Sequence, residues 1–169
     1  MTGTPGTAGT DNGLKLIAEP GRQEIVITRV FDAPRELVFR TYTDPSLIPQ
    51  WWGPRNTTTV VDAMDVRPGG AWRYVNRGAD GSEHWFHGYY HEIAAPERLV
   101  HTFEYEGTPG HALLETVTFD EVDGKTRLTD SSVFQSVEDR DGMLKAGMEE
   151  GARELMDRFA ELLARLSTR

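Results

Sequence analysis

The order of secondary-structure signals constrains this fold most. From Thr57 to Gln135, short β-type segments follow one another, separated by turn residues, and one long amphipathic helix then runs from roughly Asp139 to Leu166. That helix is the only predicted element large enough to cover a sheet. A twisted antiparallel sheet with a single helix to bury against must curl around it, and curling leaves space between the two layers. We therefore expect an internal cavity that can hold a small molecule.

The helix is predicted from its periodicity. Apolar residues recur every three to four positions, and charged residues fill the opposite side. The apolar stripe contains Leu144, Met148, Leu155, Phe159, Leu162 and Leu166. Gly142, Gly147 and Gly151 are unusual in a helix, because each costs up to ~1 kcal/mol relative to alanine. They indicate close approach to the sheet or a ligand beside the helix, and tight packing is the simpler interpretation.

The composition excludes several classes of protein. The chain has no cysteine, which excludes a disulfide framework, a thiolate zinc site and a thiol nucleophile. The formal net charge is −9 and no basic patch is present, so we expect no nucleic-acid or membrane partner. No stretch approaches the ~20 apolar residues that span a bilayer, and no apolar signal segment is present. We therefore expect a cytoplasmic protein.

The chain is predicted to form one domain. Residues 1–20 are expected to be a disordered or loosely attached tail, because the first dozen are mostly threonine, glycine and small polar residues. Residues 21–169 are expected to fold as a single α+β domain. A first strand at Ile25 to Phe31 precedes two short helices, which begin near Pro34 and Pro45. Six strands with short turns follow, which predicts a seven-stranded curled antiparallel sheet.

Several motifs resemble the START-like (SRPBCC) helix-grip superfamily. They include Phe31-Asp32-Ala33-Pro34, Gln50-Trp51-Trp52-Gly53-Pro54, Asp65-Val66-Arg67-Pro68-Gly69-Gly70, Gly88-Tyr89-Tyr90-His91-Glu92-Ile93 and Gly147-Met148-x-x-Gly151. Within that superfamily the chain resembles the branch named for homologues of the activator of heat-shock-protein ATPase. The resemblance implies a seven-stranded sheet that grips a long C-terminal helix around an internal cavity.

Aromatic residues supply most of the predicted ligand-binding set. Strand alternation places Trp72 with Tyr74 on one face, and likewise groups His101, Phe103 and Tyr105. Ordinary core packing is the alternative for any single ring. Adjacent tryptophans cannot share one side of the chain, so one is expected to anchor the short helices and the other to lie at the cavity mouth or on the surface. The predicted set is Trp51, Trp52, Trp72, Tyr74, Phe86, Tyr90, His101, Phe103, Tyr105, Val117, Phe134, Met148 and Ala152.

Candidate catalytic groups come from acids within strands and from histidine. The strand acids are Glu92, Glu104, Glu115 and Asp130. An acid turned into a cavity has a raised pKa and can act as a general base, whereas pairing with an arginine on the solvent face is the simpler interpretation. Glu92, Asp130 and His101 are the candidates for catalysis.

The histidines do not predict a metal site. On a strand, His87 and His91 share a face while His84 faces the other way, so the three do not converge as zinc ligands do. We expect neither a metal nor a cofactor.

These observations lead us to expect binding of an apolar or amphipathic small molecule between sheet and helix, rather than catalysis. One alternative is a cyclase or hydratase-type enzyme that uses a cavity carboxylate or histidine. Another is a co-chaperone-like activator of a heat-shock ATPase in the stress response, acting through its surface on a chaperone partner. The chain could be a monomer or a homodimer, because aromatic residues occupy both faces of the segment from Glu83 to Ile93.

Overall fold

An eight-stranded antiparallel sheet curls around two consecutive C-terminal helices. The computed structural model describes residues 13–168. The strands are β1 (Lys15–Ile17), β2 (Glu24–Phe31), β3 (Thr57–Met64), β4 (Ala71–Gly78), β5 (Glu83–Ala94), β6 (Arg98–Tyr105), β7 (Leu113–Val122) and β8 (Lys125–Val133). The helices are α1 (Arg35–Thr43), α2 (Val137–Lys145) and α3 (Met148–Ser167). This is the expected α+β helix-grip architecture.

The strand order is β1-β2-β8-β7-β6-β5-β4-β3, and all pairs are antiparallel. From β3 to β8 each strand pairs with the next one in the chain, as short turns require. The first long strand, β2, lies beside the last strand, β8, and pairs with it over its full length. Cross-strand partners point to the same face, so this register decides which side chains meet inside.

The sheet has one strand more than expected. Residues 15–17 pair with residues 26–28 of β2, and the neighbouring Leu14 is only 2% exposed. The guanidinium of Arg140 on α2 also donates a hydrogen bond to the carbonyl of Glu19. This part of the expected tail is therefore packed into the fold, although three residues are too few to show a strand period. Residues 1–12 of the expected tail lie outside the described part of the chain.

The C-terminal helix is divided in two, where the sequence predicted one helix from Asp139. The side chain of Ser136 accepts a hydrogen bond from the main-chain N–H of Asp139, so α2 begins earlier, at Val137. The interruption falls at Gly147, whose φ of 91° lies in the left-handed region that glycine adopts most readily. An apolar stripe cannot reveal such a break, because it continues on both sides.

The link between β2 and β3 contains two short helical segments, as expected. The first is α1, and the second is a 3-10 turn at Ile48–Gln50. The second segment is not a longer helix because Pro49 has no main-chain N–H to donate to the carbonyl of Pro45, so an α-helix that began at Pro45 could not continue through it. Within residues 13–168, no helix is long and apolar enough to cross a membrane.

The second half of α3 fills the core. Phe159 is fully buried, and its ring lies 5.0 Å from that of Phe31 and 4.8 Å from that of Trp51, both edge to face. Leu162 and Leu163 are also buried. These contacts join the helix to β2 and to the 3-10 turn, and they fix where the first half of α3 lies over the sheet.

Replacing Phe159 by alanine should lower the free energy of unfolding by about 3–5 kcal/mol, because the large cavity left behind adds to the lost burial. Urea denaturation measures the change. Leu114→Ala is the control, since Leu114 is 41% exposed and should cost less than about 0.5 kcal/mol. Equal effects of the two substitutions would contradict the described packing.

Candidate functional site

A cavity of about 300 Å³ lies between the inner face of the sheet and the first turns of α3. Its walls are rich in aromatic side chains, which come from α1, from the residues just after the 3-10 turn, and from β4, β5 and β6. Ten residues proposed from the sequence for binding or catalysis line it: Trp51, Trp52, Trp72, Tyr74, Tyr90, His101, Phe103, Asp130, Met148 and Ala152.

Five other proposed residues do not line the cavity. Val117 and Phe134 are buried in the core. Phe86 and Tyr105 lie beside each other with ring centroids 5.1 Å apart, and Phe86 packs behind Trp52. Glu92 is exposed and lies 3.2 Å from the guanidinium of Arg98, which is the cross-strand pairing given as the simpler interpretation.

Other lining residues were absent from the predicted set. They are Ile27, Tyr42, Ile48, Gly53, Pro54, Asn76, Leu99, Glu115, Gly151, Leu155 and Met156. Leu155 lies on the apolar stripe, so the helix pattern could have identified it. Glu115 was noticed as a strand acid, but its face depends on the register of β7 with β6 and β8. The sequence carries no direct signal for that register.

Small residues at the start of α3 leave the cavity open. A Cβ atom added at Gly151 would meet no other atom within 4 Å, and the same is true at Gly142. The tight packing suggested for these glycines is therefore absent. Gly147 serves the break between the helices, and Gly151, next to Ala152, lines the exposed mouth of the cavity.

The two adjacent tryptophans divide their roles. Trp51 is buried, and its indole N–H donates to the carbonyl of Thr41 at 3.1 Å, which anchors the 3-10 turn to α1. Trp52 is half-buried, and its ring meets those of Tyr74 and Phe86 edge to face, each at 5.1 Å. One ring therefore holds the wall in place while the other forms part of it, although both line the cavity.

The loop that follows Trp52 is fastened to α3. The guanidinium of Arg158 donates to the carbonyl of Gly53 at 2.6 Å. Arg55 forms two hydrogen bonds with the carboxylate of Glu161, at 2.7 and 2.9 Å. Gly53 has φ of 91°, and a Cβ there would come within 2.7 Å of the Asn76 side chain. The chain therefore requires glycine at this point of the cavity wall.

Three titratable side chains meet inside the cavity. His101 pairs with Glu115 across β6 and β7, and Asp130 lies opposite Val117 across β7 and β8. Because Glu115 and Val117 share a face, both acids and the histidine point inward. Nε2 of His101 lies 3.2 Å from Oε2 of Glu115, and the hydroxyl of Ser132 donates to Oε1 at 3.5 Å.

Burial sets the protonation of both the histidine and the glutamic acid. Nδ1 of His101 lies 3.1 Å from the carbonyl of Thr102, which can only accept, so Nδ1 carries a proton. Burial lowers the pKa of His101 and raises the pKa of Glu115 to about 7. Both shifts favour the neutral form of each group. Glu115 therefore gains or loses its proton near neutral pH, beside an imidazole that burial holds neutral.

Asp130 is the least satisfied member of this cluster. Its Oδ1 atom is buried and has no hydrogen-bond partner within residues 13–168. Burial raises the pKa of Asp130 well above its ordinary value, and the neighbouring Glu115 raises it further. A buried polar atom without a partner costs about 1–3 kcal/mol, so a ligand that supplied one would be stabilised there.

Three tyrosines complete the polar surface. Burial raises the pKa of Tyr42 and of Tyr74 well above 10, and the pKa of Tyr90 to about 12. Their hydroxyls therefore stay protonated at neutral pH and can donate hydrogen bonds. The described residues contain no group of three or more side chains arranged to hold a metal ion.

The geometry defines a class of protein, a helix-grip domain with an aromatic cavity and an acid–histidine cluster on the gripping sheet. The chain belongs to the family of activator of Hsp90 ATPase homolog 1-like proteins, because the sequence model of that family matches residues 32–164. The match includes His101, Glu115 and Asp130, all of α2 and most of α3.

Solved structures of bacterial proteins share this fold. Protein Ms6760 from Mycobacterium smegmatis is 26% identical, with a TM-score of 0.80, over 88% of this chain and 95% of that one. A protein from Arthrobacter aurescens is 26% identical, with a TM-score of 0.83, over 89% and 91% of the two chains. One from Rhodobacter sphaeroides is 25% identical, with a TM-score of 0.81, over 90% and 99%. No curated protein matches the sequence.

Replacing Glu115 by glutamine should change how stability depends on pH. Because the pKa of Glu115 is raised, the folded state prefers the protonated acid, and the wild type loses stability as pH rises from 4.5 to about 7. Glutamine has no proton to lose, and its side chain has nearly the size and shape of glutamic acid. Relative to wild type, the variant should therefore gain about 1–3 kcal/mol over this range, measured by urea denaturation.

Glu106→Gln is the matched control. Hydrogen bonds from Arg73 and His87 lower the pKa of Glu106 to about 2, so its contribution is lost only as pH falls toward that value. Its stability curve should run parallel to that of the wild type between pH 4.5 and about 7. A parallel curve for Glu115→Gln as well would contradict a buried, protonated Glu115.

Proposed function

We propose that the protein binds an apolar or amphipathic small molecule in this cavity. The observation that carries the proposal is a space of about 300 Å³ with aromatic walls and one convergent polar cluster. That volume lies at the lower end of the range for small-molecule sites, and apolar walls with a few placed polar groups are typical of them. The apolar part of the ligand lies against Trp52, Trp72 and Phe103, and its polar part reaches His101.

The expected driving force is burial of apolar surface, at roughly 25 cal/mol for each Å² removed from water. The aromatic rings are already packed against one another, with those of Trp72 and Tyr74 only 4.7 Å apart. A ligand therefore meets walls that need little ordering, which reduces the entropy cost of binding. The hydrogen bonds of Arg55 to Glu161 and of Arg158 to Gly53 hold the loop after Trp52 on α3, and they reduce this entropy cost further.

Acid–base catalysis on the bound molecule is a second candidate, which the close approach of His101 and Glu115 favours. A carboxyl with pKa of about 7 beside an imidazole can accept or donate a proton near neutral pH. Glu92, a candidate from the sequence, has no role in this catalytic mechanism because it is exposed. Native mass spectrometry of protein purified from its own cells would identify a bound molecule. Conversion of that molecule by wild type, but not by Glu115→Gln, would support catalysis.

A neutral fluorescent probe, N-phenyl-1-naphthylamine, should bind with one saturable site and gain fluorescence. Gly151→Leu places a side chain at the mouth and should weaken binding about tenfold, a loss of roughly 1.4 kcal/mol. Gly142→Leu is the matched control, because Gly142 is also a helical glycine with open space around it but does not line the cavity. Fluorescence titration measures both affinities.

Either of two results would count against the proposal. Wild-type protein that gives no saturable signal has no usable apolar site, and the co-chaperone alternative would then be examined first. Equal weakening by Gly151→Leu and Gly142→Leu would place the probe elsewhere on the molecule. Both substitutions replace glycine by a better helix former, so neither should lower stability.

A further inference from the structure

The two carboxyl groups of the cavity have no lysine or arginine beside them among the described lining residues. Among the described residues that line it, Glu115 and Asp130 are acids and His101 is the sole base, with no lysine or arginine. Arg29 lies on the same face of β2 as Ile27, but it pairs with Asp157 of α3 at 2.8 Å and does not line the cavity. The polar end of the site therefore has carboxyl groups without a cationic partner.

The buried Oδ1 atom of Asp130 is a second, independent feature. It has no hydrogen-bond donor within residues 13–168, although buried acceptors are nearly always satisfied. Asp130 lines the cavity, so a bound molecule could supply that donor. The side chain of Ser132 is close enough to both acids to lower the pKa of each, yet Oδ1 of Asp130 has no donor within residues 13–168.

Aromatic rings surround the same end of the cavity. The ring of His101 stands edge to face against that of Trp72 at 5.9 Å and near that of Tyr90 at 6.2 Å. Tyr42 is close enough to both acids for their charges to raise its pKa. Faces of tryptophan and tyrosine attract cations, by about 2 kcal/mol when the site is desolvated.

We propose that the ligand carries a protonated amine, seated beside the carboxyl groups of Asp130 and Glu115, with its apolar body among the aromatic rings. This inference rests on the proposed binding function and adds the chemical class of the ligand. An ammonium group has donors and no acceptor, which matches a site whose unsatisfied atom is a carboxyl oxygen. Its desolvation cost is offset by charge pairing with the acids and by the ring faces.

The same cluster disfavours an anionic ligand. A carboxylate placed beside Asp130 and Glu115 would add a third acid to a site without a lysine or arginine among its described lining residues. Like charges in one buried site raise each other's pKa values and weaken binding of the charged form. A neutral alcohol could satisfy Oδ1 of Asp130 but would gain no charge pairing. The expected order of affinity is therefore amine, then alcohol, then carboxylate.

Binding of an ammonium ion should release protons. Without ligand, the raised pKa values favour the protonated form of both acids. A cation beside them lowers those values, so about one proton leaves per amine bound and affinity rises with pH. The other titratable groups around the acids are His101 and, through it, His91, together with Tyr42, Tyr74 and Tyr90. Helix α3 contributes no titratable side chain to the described lining.

The test uses three probes with one apolar body: 4-phenylbutylamine, 4-phenylbutanol and 4-phenylbutanoate. Isothermal titration calorimetry of the full-length protein should show the amine binding at least about tenfold more tightly than the alcohol, and the carboxylate most weakly. Titrations in two buffers of different ionisation enthalpy should show proton release with the amine alone.

Variants then locate the head group. Asp130→Asn combined with Glu115→Gln should remove the preference for the amine over the alcohol, because neither amide can form a charge pair with the ammonium group. Glu92→Gln, which changes an exposed acid on β5, is the control and should leave the preference intact. A preference that survives the double substitution would overturn the assignment of the head-group site.

Measurements on the wild-type protein alone also test the amine inference, whether or not the double variant folds. Equal affinity for amine and alcohol, or tightest binding of the carboxylate, would overturn the amine inference and leave the cavity as a binding site. Failure of all three probes would overturn the inference too. The proposed function would still be judged separately, by the neutral naphthylamine probe and its Gly151→Leu variant.

Discussion

The packing of Phe159 against Phe31 and Trp51 is the contact on which the rest of the structure depends. It holds the second half of α3 against β2 of the sheet and also against the 3-10 turn. Since a helix is stiff, its first half is then held at a set distance from β4 to β7. The small residues Gly151 and Ala152 do not fill that distance, so a cavity persists beside a well-packed core. Removing a core ring would therefore also affect the cavity.

The cluster of His101, Glu115 and Asp130 lowers the stability of the fold at neutral pH. Burial raises the pKa values of Glu115 and Asp130, which means that the folded chain holds them at a cost as pH rises. Apolar residues of similar size at these positions would fill the same space without that cost. Perturbed acids that converge in a cavity are typical of functional sites. The family shows the fold, whereas the chemistry has to be argued from these residues.

Much of the fold could be predicted from residue patterns. The alternation and turns between Thr57 and Gln135 predict an antiparallel meander, and the apolar stripe predicts a helix over its face. Two features of the fold could not be predicted from these patterns. Strand β1 is too short for a period, and the break at Gly147 is hidden because the stripe continues on both sides. Strand β1 depends on its pairing with β2 and on the hydrogen bond from Arg140 to Glu19, which join it to distant parts of the chain.

For the candidate site, the sequence by itself determined the chemical inventory: aromatic rings on alternating strand positions, five histidines, strand acids and small residues at one end of the helix. Only the tertiary structure decided which of them meet. Glu92 and Glu115 look alike as strand acids, yet one faces solvent and the other the cavity. The reason is register. A side chain's face follows from its parity along the strand, but which face is buried, and which neighbour stands opposite, is set by pairing between strands distant in sequence.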